Sequence, residues 1–240
     1  MKKPSAVLFD FGGTLALDSE FDLERGVEYL RKIALNGDSF TTTEICGVWN
    51  GLYADIKSAW SKDAPFAIET PLSSIFRCIF GIAGLKFDID LVQLEHLFDS
   101  NNSDRTQTPY MAQLLEYLDK NNIKTGVISN ITLTGEALRR SIELLYPGNR
   151  FEFVITSADY CLTKPSPYMF LAAAKRLCVV PSDCFYCGDS LRADVAGALN
   201  SGVFPVLYDP MAKQAADYSD KGEYLKINSW KVLKDLLDEV

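Results

Sequence analysis

The stretch Ala6-Val7-Leu8-Phe9-Asp10-Phe11-Gly12-Gly13-Thr14-Leu15 decides the fold. Its first four residues are apolar with no polar alternation, the pattern of a strand buried on both faces. A carboxylate follows at once, and then two glycines, which mark a tight turn. An aspartate at the end of a buried strand is either a turn residue or a group placed for chemistry. What the rest of the chain sets beside Asp10 decides between them.

Similar runs recur along the chain: Lys124-Thr125-Gly126-Val127-Ile128, Phe151-Glu152-Phe153-Val154-Ile155, Cys184-Phe185-Tyr186-Cys187 and Val203-Phe204-Pro205-Val206-Leu207-Tyr208, with a weaker one at Tyr224-Leu225-Lys226-Ile227. Helical patterns separate them. Met111, Leu114, Leu115 and Leu118 share one face, Ser166-Pro167 reads as a cap followed by proline at the first helical position, and Trp230, Val232, Leu233, Leu236 and Leu237 read as a closing helix. Apolar strands alternating with helices predict an α/β fold, a parallel sheet covered on both faces.

One region interrupts the alternation. From about residue 16 to about 107 the patterns are helical, with no convincing strand. Leu23, Val27, Leu30 and Ala34 keep helical spacing up to Asn36-Gly37, and Thr41 with Glu44 has the form of a capping box. The box opens an amphipathic run through Ile45, Val48, Trp49, Leu52, Tyr53, Ile56 and Trp60, and further helices are predicted over 72–82 and 91–98. Trp49, Tyr53 and Trp60 share a face, which reads as core packing. The expected division is a core of residues 1–15 and 108–240 with a helical cap of residues 16–107. Open α/β sheets bind ligands beyond the carboxyl ends of their strands, where an inserted module can act as a lid.

Polar clusters follow the strands: Asp10 to Leu15, Ser129-Asn130, Lys164-Pro165, and Gly188-Asp189-Ser190 with Asp194 beyond it. Parallel strands bring these ends to one edge of the sheet. Each cluster alone is a common cap or turn. Together they have the chemistry of a phosphate site. Asp10 and Asp189 are hard oxygen ligands suited to Mg²⁺, and Asp10 can also serve as a nucleophile. Ser129 and backbone N–H groups can hold phosphoryl oxygens while Lys164 supplies positive charge. Asp194 can orient Lys164 or a metal-bound water.

The chain has 240 residues, 24 Lys+Arg against 32 Asp+Glu, and a net charge of −8. This balance argues against nonspecific nucleic-acid binding and against a basic membrane-surface patch. No run approaches the roughly 20 apolar residues of a membrane span, so a cytoplasmic protein is expected. The six cysteines are scattered and expected to be reduced. Cys184 and Cys187, three apart in a strand, point to opposite faces and do not make a zinc pair. The lone histidine, His96, sits in a helical pattern and is a poor candidate for nucleophile activation.

These motifs resemble those of the haloacid dehalogenase-like (HAD) hydrolases. Phe9-Asp10-Phe11-Gly12-Gly13-Thr14-Leu15 resembles the family's opening motif, Val127-Ile128-Ser129-Asn130 its second and Lys164-Pro165-Ser166-Pro167 with Phe170 its third. Gly188-Asp189-Ser190, Asp194 and Gly197-Ala198 resemble the fourth. The resemblance implies a Rossmann-like parallel sheet core of strand order 3-2-1-4-5 with an inserted all-helical cap. It implies a nucleophile at Asp10, and Mg²⁺ held by Asp10, Asp189 and the Gly12 backbone carbonyl. It further implies substrate phosphate held by Ser129 and Lys164 beside Asn130, and Asp194 in support. A phosphorylated small molecule is the expected substrate; no motif specifies it or the oligomeric state.

The chain departs from the family's phosphatases at one position. They carry a second Asp two residues after the nucleophile, as acid/base for the leaving alcohol and for the water; here that residue is Gly12. Positioned acid/base catalysis is typically worth about 10²–10⁴-fold, or roughly 3–5 kcal/mol. The leading expectation is therefore a Mg²⁺-dependent phosphatase, slow on alkyl phosphates. C–P cleavage through an imine on Lys57, C–halogen cleavage, and a weakly catalytic phosphate or Mg²⁺ sensor are the alternatives. Asp189 argues against the halogen branch, whose members dispense with the metal-binding Asp.

Overall fold

The computed structural model describes residues 2–58 and 67–240, with the backbone alone at 57 and 58. Trp60 and the side chain of Lys57 lie outside the described residues. The first strand, β1 (Ala6–Phe9), is buried at every position. Its alternation feeds two cores, Val7 and Phe9 on one face of the sheet and Ala6 and Leu8 on the other.

After β1 the chain passes through β2 (Ala16–Asp18), α1 (Leu23–Ile33), α2 (Thr42–Ser58), α3 (Leu72–Ala83) and α4 (Leu91–Asn102), and returns through β3 (Arg105–Gln107). The helical insertion is as expected, with an added stem: β2 and β3 pair antiparallel, Leu17 opposite Thr106. Strands of three largely exposed residues carry no periodic signal of their own; the ladder forms because the two ends of the insertion meet. Local chemistry sets the helix starts. Asp22 accepts from the N–H of Arg25 at 2.9 Å, Asp90 from that of Gln93 at 2.8 Å, and Thr41 with Glu44 forms the expected reciprocal box.

The core continues with α5 (Met111–Lys120), β4 (Lys124–Ser129), α6 (Gly135–Leu145), β5 (Val154–Thr156), α7 (Ser157–Tyr160), α8 (Tyr168–Leu177) and β6 (Cys184–Gly188). It ends with α9 (Ala196–Asn200), β7 (Phe204–Tyr208), β8 (Ala216–Tyr218), β9 (Leu225–Ile227) and α10 (Trp230–Asp238). The sheet order is β5-β4-β1-β6-β7-β9-β8, so its first five strands follow the 3-2-1-4-5 pattern. Neighbours are parallel except β8 with β9. The third strand starts later than its apolar run suggests, at Val154, although the N–H of Glu152 already donates to the Thr125 carbonyl at 2.9 Å.

Ser166 does not cap α8. Its own N–H closes a turn onto the Thr163 carbonyl at 3.0 Å, which turns the residue inward, and its hydroxyl is buried without a hydrogen-bond partner. Pro167 stands at the cap position instead. Cys184 and Cys187 enter the two opposite cores, as their spacing predicts.

The insertion and the sheet share one apolar cluster. Trp49 stacks on Phe98 with centroids 5.0 Å apart and meets Phe76 edge-on at 5.9 Å. A buried polar seam joins α4 to α6. Glu95 accepts from the N–H and hydroxyl of Thr134 at 3.0 and 2.6 Å, and Asp99 accepts from Ser141 Oγ at 2.8 Å. Asp99 also takes a two-pronged contact from Arg105 at 2.7 and 3.2 Å. His96 Nδ1 lies 3.2 Å from Ser141 Oγ and belongs to this seam. No helix among the described residues is long and apolar enough to cross a membrane.

Candidate active site

β1, β4 and β6 are adjacent and parallel, so the polar residues that follow them lie at one edge. Asp10 directly follows β1, and its N–H extends the ladder to the Cys187 carbonyl at 2.8 Å. The chain then folds under itself, with the Phe11 carbonyl accepting from the N–H groups of Thr14, Leu15 and Ala16 at 3.3, 2.8 and 2.9 Å. Gly13 has φ +69°, and a Cβ on it would lie 2.3 Å from Asp189 Oδ2. The positive φ calls for glycine there, and a Cβ would displace the Asp189 carboxyl. Gly12 is different: a Cβ would meet nothing within 4 Å.

Lys164 connects the clusters. It is 4% exposed. Its Nζ lies 2.8 Å from Asp10 Oδ1 and 2.6 Å from Asp194 Oδ1. It also donates to Tyr186 Oη at 2.8 Å and to the Ile128 carbonyl at 3.3 Å. A buried ammonium is tolerated only with such partners. Two devices hold it. The Asn130 amide brackets its backbone, accepting from the Lys164 N–H at 2.7 Å and donating to its carbonyl at 3.1 Å. Asp194, fully buried in the single π-helical turn Leu191–Val195, accepts from the Ser190 N–H at 2.9 Å through its other oxygen.

Ser129, buried, ends β4 one residue after the Ile128 carbonyl. Asp189, exposed, follows β6. Oxygens of Asp10, Asp189 and Asp194 lie within 4.8 Å of one another, close enough to share a cation. Burial pushes the Asp10 carboxyl up; Lys164 pulls it down and Asp194 raises it again, leaving it at about 6. Asp189 is also raised, by desolvation and then by Asp194. For Lys164 burial acts to lower the ammonium, but Asp10 and Asp194 outweigh it and the group is raised. Among the described residues the site is thus a carboxylate cluster around the fixed Lys164 ammonium.

A family model for haloacid dehalogenase-like hydrolases matches residues 4–202, the span containing all four clusters. The chain belongs to the haloacid dehalogenase-like hydrolase family. Among curated relatives it is 31% identical over 111 residues to the ribulose-1,5-bisphosphate 5-phosphatase of Halopiger xanaduensis, covering 46% of each chain. The chain spans about half the length of the curated relatives it matches. Solved structures show the same fold over nearly the whole chain. A HAD phosphatase from Thermococcus onnurineus matches at 22% identity and TM-score 0.56, covering 97% of both chains. A 2-haloacid dehalogenase from Pseudomonas syringae pv. Tomato DC3000 matches at 20% identity and TM-score 0.58, covering 98% of both.

The structure places Asp10, Lys164, Asp189 and Asp194 together, with Ser129 and Asn130 at the same edge. The sequence patterns miss Tyr186, whose hydroxyl touches Lys164. The available signal was a phenol in a wholly buried strand, which needs a hydrogen-bond partner.

Proposed function

We propose that the protein is a Mg²⁺-dependent phosphatase acting on a phosphorylated small molecule, with Asp10 as nucleophile. The observation that carries this reading is Lys164, buried and poised between Asp10 and Asp194. The donor set suits a hard cation: oxygens of three carboxylates lie within 4.8 Å of one another, and carboxylate oxygens are the ligands such a cation takes. Asp10, Asp189 and the Gly12 carbonyl would hold Mg²⁺, which supplies neutralisation of the charge on the phosphoryl oxygens. Asp194 is already engaged by Lys164 and Ser190, so it acts in support.

Asp10 attacks phosphorus, the bond to the leaving oxygen breaks, and its electron pair departs with that oxygen. Lys164 faces the phosphoryl group with charge, and the Ser129 hydroxyl and the Asn130 backbone N–H donate hydrogen bonds to its oxygens. The Asn130 side chain keeps Lys164 in register, leaving its backbone N–H for phosphate. Water then attacks the aspartyl-phosphate, releasing inorganic phosphate and restoring Asp10. Gly12 offers no carboxyl for either proton transfer, so acyl and aryl phosphates, whose leaving groups need no proton, are favoured over alkyl phosphates.

The test is hydrolysis of an acyl, an aryl and a sugar phosphate, with Mg²⁺ and with chelator. Turnover in the order acyl and aryl above sugar phosphate, abolished by chelator and by Asp10→Asn, supports the reading. Phosphate binding without turnover of any ester moves the protein to a sensor role.

A further inference from the structure

The helical insertion reaches the active edge of the sheet through the segment from Ala67 to Leu72, just ahead of α3. Its backbone pairs with the residues that precede Lys164. The Ala67 N–H donates to Thr163 Oγ1 at 2.9 Å, the Thr163 N–H returns a bond to the Ala67 carbonyl at 3.0 Å, and the Glu69 N–H donates to the Cys161 carbonyl at 3.2 Å. The same segment meets the residues after β4, where the Leu72 N–H donates to the Thr132 carbonyl at 2.8 Å. The insertion is therefore bonded to both loops that carry the expected phosphate ligands.

The Glu69 side chain adds a link to the residue next to those ligands. Its Oε2 accepts from Ser157 Oγ at 2.8 Å, and Ser157 Oγ accepts from the Ile131 N–H at 2.9 Å. Ser157 is fully buried at the start of α7, and the reciprocal box of Thr156 with Asp159 fixes that helix. A serine hydroxyl has one proton to give. Its other acceptor, the Ile131 carbonyl, is farther away at 3.2 Å and uncharged. A hydroxyl that donates to a carboxylate is the better acceptor for an N–H behind it, because the two bonds polarise each other. Ile131 directly follows Asn130, whose side chain brackets the Lys164 backbone.

We propose that Glu69 is a positioning residue that pins Ile131 through Ser157, and so holds the turn Ser129-Asn130-Ile131 in the conformation that binds phosphate. This rests on the reading of Ser129 and Asn130 as phosphate ligands. Donors aimed before the ligand arrives spare it the cost of ordering them, so a loosened turn binds more weakly. The insertion thus contributes to phosphate binding from outside the α/β core.

The test compares the wild type with Glu69→Ala, which removes the acceptor, Glu69→Gln, which keeps an acceptor oxygen, and Ser157→Ala. It reads amide exchange at Ile131 by NMR and the affinity for inorganic phosphate with Mg²⁺ by calorimetry. Glu69→Ala is expected to speed the exchange and to weaken phosphate binding by about tenfold each, the scale of one hydrogen bond to a charged group. Glu69→Gln should stay within about threefold of the wild type in both, because its carboxamide oxygen still accepts from Ser157. Glu69→Ala added to Ser157→Ala should cost less than about twofold more, because the link is already cut. Unchanged exchange or unchanged phosphate affinity in Glu69→Ala overturns the proposal. So does a loss that Glu69→Gln fails to recover, or one that adds in full to that of Ser157→Ala. If the wild type binds phosphate but cleaves no ester while the variants follow the expected pattern, the phosphatase reading fails and the positioning by Glu69 stands. A wild type that binds no phosphate overturns both.

Discussion

Gly12→Asp restores the carboxyl that the opening motif lacks, and the structure has room for it. A Cβ at residue 12 meets nothing within 4 Å, and Gly12 is not among the positive-φ glycines. The residue is partly open to solvent, so the new carboxylate keeps part of its hydration next to Asp10 and Asp189. Positioned acid/base catalysis spans about 10²–10⁴-fold. An added side chain without evolved partners should reach the lower end, about 10²-fold, or roughly 2.7 kcal/mol of barrier. The assay compares kcat for a sugar phosphate and an aryl phosphate in the wild type and the variant. The gain should fall on the sugar phosphate, whose alkoxide needs the proton, with the aryl ester changing less than about threefold. Equal gains on both esters refute the reasoning, because they would mean that the carboxyl acts on something other than the leaving group. No gain in a variant that melts normally and still binds phosphate refutes it too, and points to another group already supplying the proton.

Other consequences follow from the buried charges and the glycine turn. Lys164→Met leaves the carboxylates of Asp10 and Asp194 without their counter-charge; breaking a buried pair from one side costs about 3–5 kcal/mol. Urea denaturation should show that loss, smaller in Lys164→Met/Asp194→Asn, where one stranded charge is also removed. Gly13→Ala sets a Cβ 2.3 Å from Asp189 Oδ2 on a backbone with φ +69°, and should weaken Mg²⁺ binding by at least about tenfold, read by calorimetry. An unchanged affinity there would mean that Asp189 does not hold the cation.

Particular residues show what the sequence could convey. Asp10, Lys164, Asp189 and Asp194 were legible because strands buried on both faces read as unbroken apolar runs, and parallel packing sends their ends to one edge. The strand order came from family resemblance, since hydrophobic runs carry no information about which strand neighbours which. The stem strands β2 and β3, and β8, are three residues each and too short for a periodic signal. Ser166 had the right residue type for a cap, but the turn from Thr163 directs it inward. Tyr186 was hidden because its role depends on where Lys164, distant in sequence, arrives in space. The seam of Glu95, His96, Asp99 and Ser141 was unreadable for the same reason: each is an ordinary helix residue until α4 meets α6.

The phosphatase reading stands or falls with Asp10 as the nucleophile. It is tested by quenching a turnover of acyl phosphate in acid, reducing with borohydride, and locating the modified residue by peptide mass spectrometry. Reduction is expected at Asp10, in proportion to enzyme, with none in Asp10→Asn and more in the wild type than in Gly12→Asp, where breakdown is faster. Full turnover with Asp10 unmodified, or a modified residue elsewhere, would contradict it.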